Sequence, residues 1–241
     1  MLELEIPVVV ILYHGGIVTF DSDLLSKIPA LISAGYPGFY GADAMANLLF
    51  DEDNRLATNR FGKTSVTWYS DQGWKDANFD MLDFSMTTSP GRTYRYYTGK
   101  PEFPFGFGLS YAETVTSITQ SKNNGNGGVT FSIKVENKDK TRSTDEVITL
   151  FATAQSGVID SSEPASHVQT SLVAFERVGP IAAQDSVVVE LNVDPENIAL
   201  TDAKGKSKIY QGKYDISLSV GGDSSGFSVE CDGAGRCGVC K

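Results

Sequence analysis

Apolar residues in the first third of the chain follow the pattern of a parallel sheet with connecting helices. Residues 6–13 and 28–34 are continuous apolar runs rich in β-branched side chains, which is typical of strands buried on both faces. A short helical turn is predicted over 21–27, and residues 41–50 have helical spacing. With a third strand predicted at 65–69, the order is β-α-β-α-β. Three short strands leave unpaired edges, so we expect only part of an α/β domain.

From residue 112 onward the pattern changes to short strands separated by turn residues, and no helix is predicted. The run 121–128, SKNNGNGG, is predicted to form a hairpin turn, and 137–145 a polar loop. Six or seven strands over roughly 110 residues match an immunoglobulin-like or fibronectin-like β-sandwich. The predicted strands are residues 114–119, 129–136, 146–154, 168–178, 186–193 and 214–220.

An aromatic arm lies between these two parts. Residues 90–111 read PGRTYRYYTGKPEFPFGFGLSY and are dense in aromatic residues and glycine. The glycines argue against a helix, and the prolines at positions 90, 101 and 104 argue against a continuous strand. We expect an ordered, irregular arm held down by its rings, which suits a domain connector or the wall of a sugar site. The linker as a whole is assigned to residues 73–111.

Charge and hydropathy restrict the partners of this 241-residue chain. Its formal net charge of −10 argues against nucleic acid or an anionic membrane surface, because both require a basic face. The longest apolar run, residues 6–13, is too short to cross a bilayer. The acidic start MLELEIP is unlike a signal peptide, so no export signal is expected in the sequence as written.

All three cysteines, Cys231, Cys237 and Cys240, fall in a tail assigned to residues 229–241. We expect this tail to be flexible or locally disulfide-bonded, with metal or redox chemistry as the weaker alternative. A structural zinc site needs four ligands, and no fourth candidate lies nearby in the sequence. No metal ion and no other cofactor is predicted.

Two glycine-containing loops follow the predicted parallel strands. The carboxyl ends of such strands share one edge of the sheet, which is where open α/β sheets bind ligands. The loop at 14–16 offers His14, and the loop at 35–41 offers Tyr36 as a ring for a sugar face. The alternative is that the glycines only permit tight turns and that His14 is an ordinary loop histidine.

Other residue types give little sign of catalysis. A Ser-His-Asp triad is not expected, because the chain has two histidines and no G-x-S-x-G elbow. The second histidine, His167, is expected to be exposed on the sandwich. The acidic run at 51–53 is interpreted as a solvated loop. No catalytic residue is therefore predicted in this chain.

Several segments carry more specific motifs. They are PVVVILYHGG at 7–16, RFGKTSVTWY at 60–69, P-G-R-T-Y-R at 90–95, P-F-G-x-G-L-S-Y at 104–111 and GKYDISLSVGG at 212–222. Together they resemble the C-terminal part of glycoside hydrolase family 3, particularly its β-xylosidase branch. The resemblance implies an α/β plus all-β fold: a partial parallel-sheet α/β sandwich domain over residues 1–72, then a fibronectin type III-like β-sandwich over 112–228.

Family members resemble one another in carrying a TIM-like barrel ahead of the α/β sandwich. They are retaining exo-glycosidases with an aspartate nucleophile on the barrel and a glutamate acid/base on the sandwich, carboxyl groups that stand about 5–5.5 Å apart. Neither position has a match in this chain. The resemblance therefore implies the C-terminal portion of a xylan 1,4-β-xylosidase or β-glucosidase without its catalysts. The implied partners are a missing N-terminal barrel domain and a β-linked oligosaccharide, and the implied location is extracellular.

In the linker, the resemblance suggests residues that line or brace the active-site side of such an enzyme. The competing role is purely structural: these residues would staple the arm to the rest of the protein. A free-standing, non-catalytic carbohydrate- or partner-binding module stays open as the alternative function. The candidate binding residues, loops and linker together, are His14, Tyr36, Arg92, Tyr94, Arg95 and Tyr97.

Overall fold

A computed structural model describes residues 6–50, 58–59, 61–80, 82–222 and 226–240, so the acidic run at 51–53 lies outside the described residues. The strands are β1 (Val9–Tyr13), β2 (Ala30–Gly35), β3 (Thr58–Asn59), β4 (Trp68–Tyr69), β5 (Pro101–Phe103), β6 (Thr114–Asn123), β7 (Val129–Asn137), β8 (Ser143–Ala154), β9 (Ser171–Ile181), β10 (Ser186–Val193), β11 (Leu200–Thr201), β12 (Ser207–Lys208), β13 (Gly212–Ser217), β14 (Ser228–Cys231) and β15 (Cys237–Val239). The helices are α1 (Ser22–Ser26), α2 (Gly41–Phe50), α3 (Asp71–Ala77), α4 (Thr93–Tyr96) and α5 (Pro195–Ile198), with a 3-10 turn at Pro164–His167. In the described ranges, no helix has the length and apolar character needed to span a membrane.

The predicted parallel pair is present, but its strands are less buried than the sequence indicates. β1 pairs with β2 in parallel, with Val9 opposite Ala30. The prediction that residues 6–13 form a strand buried on both faces is wrong, because Ile6, Val9 and Tyr13 are 59%, 49% and 54% exposed. The described sheet holds these two strands alone, so much of its apolar surface has no neighbouring element to pack against.

The third predicted parallel strand has a different partner. β4 pairs antiparallel with β5, with Trp68 opposite Phe103, and does not join β1 and β2. Its two side chains are buried and make ring contacts with the arm. Trp68 meets Phe103 with ring centroids 6.1 Å apart, and Tyr69 meets Tyr97 at 4.8 Å. The apolar run is therefore an aromatic anchor for the arm, and the prediction of a third parallel strand is wrong.

The arm at 90–111 is ordered, as predicted, but it is not wholly irregular. The single helical turn α4 fits between Gly91 and Gly99, and Pro101 begins β5. Gly91 supplies a left-handed backbone conformation, with φ +83°, just before α4. The prediction that glycine excludes any helix here is wrong, because the glycines lie outside the turn.

Helix α3, between β4 and the arm, was not predicted although its ends carry ordinary signals. The Ser70 hydroxyl caps the helix by accepting a hydrogen bond from Gly73 N at 3.0 Å. Asn78 ends the helix in the left-handed conformation, with φ 44°. The arm is thus preceded by a well-capped helix.

The C-terminal half is a β-sandwich. One sheet has the order β10-β7-β6, and the other has the order β15-β14-β13-β8-β3, with β9 also paired to β8. The inward side chains of both sheets form one core, in which Phe131, Ile148, Val193 and Ile216 are at most 1% exposed. All six predicted strands are present, and β10 has the predicted ends. The 3-10 turn before β9 and helix α5 are short helical pieces that the pattern did not predict.

The tail belongs to the larger sheet. β14 pairs with β13, and β15 pairs with β14. Cys231 and Cys237 form a disulfide across this hairpin, and both lie in the core. The locally disulfide-bonded alternative is therefore confirmed and the flexible one is wrong, while Cys240 is a free thiol. Within the described part of the chain, no group of three side chains is arranged to hold a metal ion.

Candidate functional site

His14 lies at the end of β1 and is held from both sides of its ring. Its Nε2 atom is 2.8 Å from the Ser33 hydroxyl on β2, and Nδ1 contacts the Gly16 carbonyl. The ring also meets Trp68 edge to face, with centroids 5.3 Å apart. These contacts fix the imidazole at the carboxyl edge of the parallel pair and connect that edge to the aromatic anchor.

Tyr36 lies in the neighbouring loop, so the two predicted loops do share one edge. The backbone N–H of His14 donates to Gly35 O at 3.1 Å. The Tyr36 ring covers Gly15 so closely that a β-carbon added there would approach its hydroxyl to 2.0 Å. Tyr36, Phe39 and Tyr40 are 85%, 93% and 71% exposed, and together they form what we call the exposed ring edge.

Arg92 braces the segment before the arm. Its Nη1 donates to the Asp83 carbonyl at 2.8 Å and its Nη2 to the Asp80 carbonyl at 2.9 Å. The guanidinium also lies over the Phe79 ring, 5.2 Å from the centroid. Both terminal nitrogens of the guanidinium are thus bonded to nearby backbone carbonyls, which supports a structural role for Arg92.

Tyr94 and Tyr97, on and just after α4, line a cavity between the arm and the sandwich. The Tyr94 hydroxyl accepts a hydrogen bond from Leu172 N at 3.2 Å, and its ring lies 4.4 Å from that of Phe105, centroid to centroid. Burial raises the pKa of Tyr97, and the neighbouring Tyr69 adds to the effect. Both tyrosines therefore present their rings in a partly desolvated setting.

Arg95 fastens the arm to the sandwich through its backbone. Its carbonyl accepts a hydrogen bond from Gln169 N at 2.6 Å. The Nε atom of its guanidinium is buried without a hydrogen-bond partner among the described residues. The six candidate residues thus fall in three places: the sheet edge with His14 and Tyr36, the brace at Arg92, and the arm–sandwich junction.

The cavity at this junction has a volume of about 410 Å³. Its sandwich half was missed from the sequence, because those residues lie at strand ends and loops where alternation gives no sign of a site. Gln169 and Thr170 lie just before β9, and Thr153 lies near the end of β8, so no local pattern marks them as parts of one site. The described lining residues are Thr67, Tyr94, Tyr97, Thr98, Gly99, Pro101, Pro104, Phe105, Thr153, Gln169, Thr170, Val220 and Gly221.

Comparison with known proteins bears directly on this geometry. Residues 1–111 match the glycosyl hydrolase family 3 C-terminal domain. The chain is related to the C-terminal part of glycoside hydrolase family 3. Beta-D-xylosidase 1 of Arabidopsis thaliana is 31% identical over 246 residues, which cover 88% of this chain and 30% of that protein. A probable exo-1,4-beta-xylosidase of Aspergillus oryzae is 32% identical over 243 residues, covering 92% of this chain and 29% of that protein.

Solved structures of family 3 enzymes agree with the fold. An exo-beta-xylosidase of the family, XlnD, in complex with a xylobiose aziridine probe superimposes with a TM-score of 0.72 at 26% identity, over 90% of this chain and 30% of that one. DesR, a beta-glucosidase from Streptomyces venezuelae in complex with D-glucose, superimposes with a TM-score of 0.68 at 26% identity, over 88% of this chain and 27% of that one. The fold class, an α/β part followed by a β-sandwich, is confirmed. The chain spans about 30% of the length of the curated relatives it matches.

Proposed function

We propose that this chain is the C-terminal portion of a retaining, exo-acting β-glycosidase of the xylan 1,4-β-xylosidase or β-glucosidase type. The relatives named above support the reaction class, and the share of their length that the chain spans supports its being a portion of such an enzyme. In this proposal the nucleophile and the acid/base belong to residues outside this sequence. The chain itself supplies one wall of the cleft and the sandwich that supports it.

The exposed ring edge is the observation that carries this proposal. Three aromatic side chains more than two-thirds exposed belong to the loop that follows β2, at the carboxyl edge of β1 and β2, and two of them, Phe39 and Tyr40, meet edge to face with centroids 5.0 Å apart. Such an edge is where α/β sheets bind ligands, and aromatic faces suit the apolar C–H faces of a pyranose. Large exposed rings in one patch also mark a surface that another part of a protein covers. The edge fits a sugar cleft completed by a preceding barrel domain.

The remaining parts of the proposal concern partners and location. The partners are that barrel domain and a β-linked oligosaccharide from plant cell walls. The Cys231–Cys237 disulfide supports an extracellular location, because disulfides persist in oxidising compartments. The two-sheet sandwich supports assignment of the C-terminal half to the fibronectin type III-like class.

An activity assay tests the proposal. We expect the purified chain to leave an aryl β-xyloside and an aryl β-glucoside unhydrolysed, and the coding region upstream of Met1 to encode a barrel in frame.

The enzyme that includes the barrel should release xylose or glucose with retained anomeric configuration, as followed by NMR. Tyr36→Ala in that enzyme should lower kcat/KM about tenfold by removing a ring from the cleft. The proposal would be overturned if this chain alone hydrolysed either substrate and if one point substitution in it abolished that hydrolysis.

A further inference from the structure

We propose that the cavity between the arm and the sandwich is a second carbohydrate site, which binds one pyranose unit of a neutral sugar. It lies apart from the exposed ring edge, since no residue of the loops at 14–16 and 35–41 contributes to its lining. It would hold sugar without cleaving it. The inference goes beyond the proposed function, because it requires neither the barrel nor hydrolysis.

The shape of the cavity suits a small ligand. Its volume of about 410 Å³ falls within the range of roughly 300–1,000 Å³ that is typical of small-molecule sites. The arm side is formed by rings and by the flat faces of two prolines. Tyr94 and Phe105 lie ring against ring with their planes tilted by 33°, so they form a continuous apolar wall. Such a wall matches the C–H face of a pyranose.

The chemistry of the lining indicates a neutral ligand. None of the described lining residues carries a formal charge. An anionic or cationic ligand would therefore lose its hydration without gaining an ion pair. Hydroxyl and amide groups interrupt the apolar surface instead, and these are the groups that a sugar hydroxyl can bond.

Two polar groups on the lining residues make no hydrogen bond within the described part of the protein. Among the residues whose structure is described, the Tyr97 hydroxyl and Gln169 Oε1 have no hydrogen-bond partner, whereas Gln169 Nε2 is bonded to the His167 carbonyl. The Thr153 hydroxyl donates to Thr170 Oγ1 at 3.0 Å, which in turn bonds to a backbone carbonyl. Thr153 Oγ1 is thus fixed in orientation and retains a lone pair for a ligand hydroxyl.

A buried hydroxyl beside the cavity is also unsatisfied. Thr67 is 5% exposed, and its Oγ1 has no hydrogen-bond partner among the described residues. Buried polar groups without a partner are uncommon in folded proteins and cost free energy. The wall of the cavity therefore includes a residue whose hydroxyl the described protein leaves unpaired.

The site is held in shape before any ligand arrives. Hydrogen bonds from Leu172 N to the Tyr94 hydroxyl and from Gln169 N to the Arg95 carbonyl join the arm to the sandwich across it. Phe105 also meets the buried Phe151 of β8 edge to face, with centroids 6.0 Å apart. A preformed site loses less conformational freedom on binding, so it can hold a single sugar unit measurably.

Titration of the isotope-labelled chain with xylobiose, and separately with cellobiose, tests this inference by NMR. We expect millimolar binding, with amide shifts confined to residues 97–99 and 169–170. Tyr97→Phe, which removes only the hydroxyl, and Gln169→Ala should each raise the dissociation constant about fivefold to tenfold. Tyr111→Phe on the arm and the exposed Gln120→Ala on β6 are matched controls that should leave it unchanged.

Three outcomes would overturn the assignment. The first is the absence of shifts with either disaccharide in the folded chain. The second is binding that maps to Tyr36, or that neither Tyr97→Phe nor Gln169→Ala weakens. The third is that phenol perturbs the cavity amides while neither disaccharide does, which would make the site a purely apolar one. Because the chain alone is titrated, these results are independent of whether the barrel-containing enzyme hydrolyses glycosides.

Discussion

The Nζ atom of Lys63 lies 3.0 Å from Oε1 of Glu146, and this ion pair fastens the segment before β4 to the sandwich. The Glu146 side chain is 9% exposed and projects from β8 on the same face as the core residue Ile148. Thr114, on the opposite sheet, donates a hydrogen bond to Oε2 at 2.6 Å. The Glu146 carboxylate therefore joins the segment before β4 to both sheets of the sandwich.

Substitution of Lys63 by methionine is expected to lower the free energy of unfolding by about 3 kcal/mol. The change leaves the buried Glu146 carboxylate without its cation, and an uncompensated buried charge is costly. Urea denaturation of the chain measures the effect. The double variant Lys63→Met with Glu146→Leu should recover much of the loss, because it removes both charges.

A matched exposed pair provides the control for that prediction. Lys122 Nζ lies 2.6 Å from Glu190 Oε1, but the two side chains are 61% and 56% exposed. Solvent screens such a pair, so Lys122→Met should cost less than about 1 kcal/mol. Equal losses for the two lysine variants would show that burial of Glu146 does not govern the energetics.

Acid is expected to destabilise the loop between β7 and β8. Hydrogen bonds from the backbone N–H groups of Thr141 and Arg142 lower the pKa of Asp139 to about 2, from an ordinary value of 3.8. Because the folded-state pKa is depressed, the stabilisation is fully present above about pH 4 and is lost as the pH falls toward 2. Asp139→Asn removes this titration. Its melting temperature should lie below that of the wild type at pH 7 and converge on it near pH 2, whereas a constant difference would contradict the assignment.

Much of the sandwich could be predicted from the sequence because its strands are amphipathic and local turn residues separate them. Residues 186–193 show the alternation directly, and Asn and Gly at 124–128 define the hairpin between β6 and β7. The pairing of Trp68 and Tyr69 could not be predicted in this way. An apolar run gives the tendency to form a strand, but the partner depends on long-range contacts with the arm.

The candidate site could be predicted from the sequence only where its segments have an unusual composition, rich in aromatic residues or glycine. The density of rings in the arm marked Tyr94 and Tyr97, and the glycine loops marked His14 and Tyr36. The sandwich half of the cavity, including Gln169, carries no local pattern, because it arises where two distant segments meet. Arg92 was marked by its motif, but its hydrogen bonds to backbone carbonyls required the three-dimensional structure.

Gly91→Ala is expected to destabilise the arm by at least about 2 kcal/mol. Gly91 has φ +83°, and an added β-carbon would lie 2.1 Å from the backbone oxygen of Tyr96, which cannot move without disrupting α4. Gly15→Ala is the control. Its β-carbon would meet the far end of the exposed Tyr36 side chain, which can rotate away, so the change should cost under about 0.5 kcal/mol. Thermal unfolding of both variants compares them, and equal shifts would contradict this account.

Loss of the Cys231–Cys237 disulfide is expected to lower the free energy of unfolding by about 2 kcal/mol, because the bridge closes a short loop in the unfolded chain. The double variant Cys231→Ser with Cys237→Ser, measured by urea denaturation, should lose at least this amount, since both positions also lie in the core. Cys240→Ser, at the free thiol, should change stability little.

Alkylation of the denatured, unreduced protein should label Cys240 alone, and reduction should expose all three thiols. Labelling of Cys231 or Cys237 without reduction would show that the pairing is wrong.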